Sequence, residues 1–79
     1  MQITYYAGAA DAAGTTMTQL DAGDLSAADL LARLGAGDEK LAHVLACCSV
    51  LVDGRPIRDG AELIAAGSRV DVLPPFAGG

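Results

Sequence analysis

Apolar positions alternate first along the chain. Ile3, Tyr5 and Ala7 share one face at a period of two, with Gln2, Thr4 and Tyr6 on the other, so 2–7 is predicted as a first strand. The stretch 8–14 is small, Ala-rich and aperiodic, and is predicted as a loop or wide turn. Residues 15–20 suit a second strand, antiparallel to the first, with either Thr16, Thr18 and Leu20 or Met17 facing inward. The period then changes. Ala27, Leu30, Leu31 and Leu34 form one stripe at helical spacing, and Gly35 and Gly37 supply the stop. Ser26-Ala27-Ala28-Asp29 has the form of a capping box, with Leu25 and Leu30 as its hydrophobic staple. A helix over 26–35 follows.

Asp38 is placed to cap a shorter helix whose apolar face is Leu41, Val44 and Leu45. Val50, Leu51 and Val52 read as a buried strand. Asp53-Gly54 is a two-residue hairpin signal, because both positions tolerate positive φ, and 55–57 is the return strand. Residues 61–66 suggest one helical turn between Gly60 and Gly67. Residues 69–73 form the last strand, with Val70 and Val72 alternating against Arg69, Asp71 and Leu73. Pro74 and Pro75 then end sheet pairing, since neither has an N–H to donate. The pattern predicts an α+β roll of the β-grasp kind: a mixed sheet packed on one main helix, with the last strand parallel to the first. Residues 1–73 make the domain, and 74–79 an extended tail able to reach about 20 Å.

Composition narrows the function. Seventy-nine residues make one domain, with little room for a deep cleft. Five basic against ten acidic residues give a net charge of −5, which opposes nucleic-acid binding. No apolar stretch approaches the roughly 20 residues that span a bilayer, and no basic, apolar leader follows Met1. Cys47 and Cys48 are adjacent and unsuited to bridging each other, so a reducing, cytoplasmic setting is the simplest expectation.

Candidate chemistry is sparse. His43 stands alone and reads as a surface or rim histidine. Cys47-Cys48 lacks the spacing and further ligands of a zinc site, and reads as a pair of small buried side chains leading into a strand. No metal and no bound cofactor are expected. The closing Gly78-Gly79 is different. A stiff Pro-Pro segment carrying a narrow, side-chain-free end suits threading into a partner, and glycine lets a backbone approach a catalytic centre closely.

The segment Val70-Asp71-Val72-Leu73-Pro74-Pro75-Phe76-Ala77-Gly78-Gly79 resembles the C-terminus of the MoaD/ThiS sulfur carriers, most of all the molybdopterin synthase small-subunit branch. The similarity extends to the first strand through Tyr6-Ala7, the capped Leu-rich helix, and Leu51-Val52-Asp53-Gly54. A ubiquitin-like β-grasp fold is implied. So is a mechanism: an E1-like enzyme of the MoeB type uses ATP to adenylate the Gly79 carboxylate. A sulfur donor protein then converts it to a thiocarboxylate. In the molybdopterin branch, the tail enters a MoaE-like large subunit and gives sulfur to cyclic pyranopterin monophosphate.

By this resemblance Gly79 is the reactive group, and Leu73, Pro74, Pro75, Phe76, Ala77 and Gly78 meet the partner. Catalytic side chains would come from the large subunit. Sulfur delivery for thiamine thiazole, cysteine or tRNA thiolation is the alternative destination, and a ubiquitin-like modifier or interaction domain the second alternative. Where many relatives carry a charged Leu-Arg-Glu type segment after the first strand, this chain reads Ala9-Ala10-Asp11, so no ionic contact is carried over there.

Overall fold

A computed structural model describes residues 1–75. The elements in chain order are β1 (Gln2–Tyr5), α1 (Ala7–Ala13), β2 (Met17–Gln19), β3 (Leu25–Ser26), α2 (Ala27–Leu34) and α3 (Glu39–Leu45). They continue with β4 (Ser49–Val52), β5 (Arg55–Pro56), β6 (Leu63–Ile64) and β7 (Arg69–Leu73). Five strands form a mixed sheet in the order β2-β1-β7-β4-β5. β7 runs parallel to β1 and antiparallel to β4. This is the expected α+β β-grasp architecture.

One face of the sheet carries the core. Ile3, Tyr5, Val50, Val52, Val70 and Val72 are buried there, together with Ala9, Leu30, Leu41 and Leu45 from the three helices. The α2 stripe behaves as its spacing predicts. Ala27 and Leu30 are buried, and Leu31 and Leu34 pack at the edge of the core. The Ser26 hydroxyl accepts the N–H of Asp29 at 3.1 Å, and Asp38 Oδ1 accepts that of Leu41 at 3.0 Å, so both predicted caps form. α2 ends against α3 at Gly35, where a Cβ would stand 2.9 Å from the Cβ of Ala42. The β4–β5 turn is the expected hairpin, with φ of 49° at Asp53 and 84° at Gly54.

Two expectations are corrected. The 8–14 stretch is helical: α1 runs Ala7–Ala13 and ends on Gly14 in the left-handed region, whose N–H donates to Ala10 O. Ala is the best helix former, and here that local preference acts with packing against β1, β7 and α3. Ala7 is consequently not the end of β1 but the first residue of α1, at φ 48°. β1 and β2 are therefore antiparallel partners joined through a helix, not a short turn.

The second correction concerns 61–66. Leu63 and Ile64 form β6, which pairs antiparallel with β3 through Leu25↔Ile64 and Ser26↔Leu63. Pairing to β3 at the mouth of α2 buries Ile64 in the core, which a single helical turn is not needed to do. The open question of β2 is also answered. Thr18 and Leu20 are half-buried, whereas Met17 is 50% exposed on the other face.

Candidate functional site

The root of the tail is the feature that the fold positions most firmly. β7 lies at the centre of the sheet, with hydrogen-bonded neighbours on both sides. Its register places Val72 between Tyr5 and Val50, and Leu73 opposite Ser49. The Tyr6 N–H adds one further bond to Val72 O at 3.1 Å. Pro74 then brings no N–H to the ladder, and β7 stops at Leu73. Pro74 is half-buried and Pro75 exposed. The chain therefore leaves the sheet at its middle, beside the point where Ala7 turns β1 into α1.

Alternation sets which side chains surround that point. Val70 and Val72 face the core and are fully buried. Arg69, Asp71 and Leu73 take the opposite face, which no described helix covers. On that face Asp71 stands between Thr4 and Leu51, and Thr4 stands opposite Met17. Tyr6 follows Thr4 by two residues and is 44% exposed. Its hydroxyl donates to Asp71 Oδ1 at 3.4 Å. Tyr6, Met17, Leu51 and Leu73 thus place apolar side chains on the outer sheet face near the base of the tail, with Thr4 and Asp71 between Met17 and Leu51. Sequence reasoning singled out Leu73 but not Tyr6 or Met17. The signal for Tyr6 was its place on the Thr4 face of β1, next to the expected parallel strand.

Phe76, Ala77, Gly78 and Gly79 lie outside the described residues. The site residues expected within them therefore have no geometry to add.

The other candidates are not brought together. His43 is exposed on α3 and opens on a shallow groove with Glu39, Ala42 and Ala46. Cys48 borders a different groove, with Leu31, Val50 and Ile57. Burial pushes the Cys48 thiol above its ordinary range, and the neighbouring Cys47 adds to the effect. Cys47 is exposed, against the expectation that both cysteines are buried: it sits in the turn after α3, before the strand alternation begins. Among the described residues no group of three or more His, Cys, Asp or Glu side chains could hold a metal ion. Nor is any described helix long and apolar enough to cross a membrane.

Comparisons with known proteins agree with this picture. No curated protein matches the chain. Small archaeal modifier protein 1 of Haloferax volcanii is 27% identical, with a TM-score of 0.79 over 96% of this chain and 97% of that one. A putative molybdopterin converting factor, subunit 1, from Pyrococcus furiosus is 24% identical, with a TM-score of 0.75 over 95% of each chain. A protein–protein complex of subunits 1 and 2 of the molybdopterin-converting factor from Helicobacter pylori also matches. There the identity is 19% and the TM-score 0.68, over 99% of this chain and 96% of that one. At these lower identities the two likenesses speak for the fold alone. The model of the ThiS family matches residues 3–79, nearly the whole chain, and the protein belongs to that family of ubiquitin-like sulfur carriers.

Proposed function

We propose that this protein is the small subunit of a molybdopterin synthase, carrying sulfur on the carboxylate of Gly79. The observation that carries the reading is the root of the tail. The central strand β7 ends in Leu73-Pro74-Pro75, and the sequence continues as Phe76-Ala77-Gly78-Gly79. A tail anchored at mid-sheet and stiffened by two prolines suits insertion into another protein's active site. The apolar side chains of Tyr6, Met17, Leu51 and Leu73, set among Thr4 and Asp71 on the outer face, supply a docking face beside it. The H. pylori relative, of the same fold, is described as a complex of its subunits 1 and 2. Leu73, Pro74, Pro75, Phe76, Ala77 and Gly78 are the partner-contacting residues of this reading.

The chemistry follows from the carboxylate. A free carboxylate is a poor electrophile. An E1-like adenylating enzyme of the MoeB type, using ATP, converts it to an acyl-adenylate with AMP as leaving group. A sulfur donor protein displaces AMP to leave a thiocarboxylate. A MoaE-like large subunit supplies the groups that move the sulfur into cyclic pyranopterin monophosphate. This chain binds no cofactor in that scheme and works in the cytoplasm.

A second reading is a protein modifier, in which the same activated carboxylate forms an isopeptide bond. The likeness to small archaeal modifier protein 1, which exceeds that to either molybdopterin-converting factor, favours it. Intact mass separates the two. Incubation with the adenylating enzyme, ATP and a sulfur donor is expected to add about 16 Da, one oxygen replaced by sulfur in the activated acyl group. Addition of the large subunit and cyclic pyranopterin monophosphate is expected to reverse that gain. Failure to gain the mass would overturn the carrier reading; a gain that the large subunit does not reverse would overturn the molybdopterin assignment.

A further inference from the structure

The chain contains a single lysine, Lys40, and its placement has a chemical consequence. Lys40 is exposed on the first turn of α3. α3 packs against α1 and α2, on the helical side of the sheet, away from the outer sheet face at the tail root. A partner docked on the outer sheet face therefore leaves the lysine open. His43, also exposed, follows it by three residues and so stands one turn along the same helix face.

The other amine of the chain is not comparably available. The Met1 nitrogen donates to Leu20 O at 2.7 Å, and Leu20 N–H returns a bond to Met1 O at 2.9 Å. Met1 itself is buried, at 8% exposure. To act as a nucleophile this amine would have to leave the β1–β2 pairing.

We propose that Lys40 is the acceptor site at which one copy of this protein is conjugated to the Gly79 carboxylate of another. The inference rests on the activation of Gly79 in the proposed function, but it gives the acyl-adenylate a second fate. In its uncharged form, Lys40 Nζ attacks the adenylated carbonyl carbon. A C–N bond forms, the C–O bond to AMP breaks, AMP departs with its electron pair, and the nitrogen releases one proton to water. ATP is the co-reactant, and no oxidant or reductant is needed. With one acceptor per copy, repeated conjugation gives an unbranched chain of copies.

The competing nucleophile is the exposed Cys47 thiol, whose product would be a thioester. The two products differ in lability, since excess dithiothreitol cleaves a thioester and not an isopeptide. The test uses the full-length protein with the E1-like adenylating enzyme of its own source organism, magnesium and ATP, and no sulfur donor. ATP–pyrophosphate exchange reports adenylation independently of conjugation. The expected result is a dithiothreitol-resistant dimer. Trypsin should leave the ten-residue segment Val70–Gly79 on Lys40, because Arg69 is the last cleavage site before the tail.

Lys40→Arg should abolish the dimer while exchange continues at the wild-type rate. Exchange without a resistant dimer overturns this proposal and leaves the proposed function standing. So does a dimer that persists in Lys40→Arg, or a linkage mapped to Met1. Absence of exchange overturns both.

Discussion

The Tyr6 hydroxyl donates to Asp71 Oδ1 across the β1–β7 pairing, at 3.4 Å and on the face of the sheet that the helices leave open. The bond is long and exposed, so it contributes little to folding. Its effect is positional: it links the Tyr6 side chain to Asp71 of β7 on the outer face. Tyr6→Phe is expected to shift unfolding stability by less than about 0.5 kcal/mol. Tyr6→Ala is expected to weaken docking of a large subunit by about 1–2 kcal/mol, roughly tenfold, as loss of an aromatic interface contact does. Urea unfolding and calorimetric titration read the two effects separately. Unchanged binding by the alanine variant would remove the outer face from the docking surface.

Deleting Gly79, or adding a residue after it, is expected to abolish thiocarboxylate formation and sulfur transfer. The unfolding midpoint should not move, because Gly79 has no side chain to bury and the described core ends at Val72. Intact mass and thermal unfolding check the two halves. Sulfur transfer by an extended variant would place the reactive group elsewhere.

Leu30 is fully buried, whereas Leu34 on the same stripe is half-exposed at the core's edge. Leu30→Ala should therefore cost about 2–5 kcal/mol, the range for a buried leucine, and Leu34→Ala clearly less. In so small a domain the first of these approaches the whole stability. Denaturant titration would detect an equal loss at the two sites, and that outcome would contradict the packing described.

Burial raises the Tyr5 hydroxyl above its ordinary pKa of 10.0. The folded state thus holds this proton more tightly than the unfolded chain does. Its contribution to stability is full below pH 10.0 and is lost as pH rises through the higher folded value. Stability should fall with pH in that alkaline window, and Tyr5→Phe should flatten the fall. A wild-type slope retained in the phenylalanine variant would assign it to other groups.

How much of this was readable beforehand depends on how local each signal is. The Ser26 and Asp38 caps, the Asp53-Gly54 turn and the Val70–Val72 alternation are set by residues within a few positions of one another, and all are found as read. The 7–13 helix carries no apolar periodicity, because alanine marks no face, so only its composition pointed to it. β3 and β6 are two residues each and exist through a pairing 39 positions apart, Leu25 with Ile64, which no window contains. The site divides in the same way. Leu73 and the prolines declare themselves in one segment, while Tyr6 joins them only when β1 and β7 come together.

The central place of β7 also bears on what happens when a partner pulls. Both of its neighbours run along the same axis, β1 parallel and β4 antiparallel, and their hydrogen bonds lie across that axis. Tension applied through Leu73 along the strand loads these bonds in shear, all at once, and does not peel them one by one. The domain is thus built as an anchor: a pull on the chain beyond Leu73 is shared by both neighbouring strands and does not unravel the sheet.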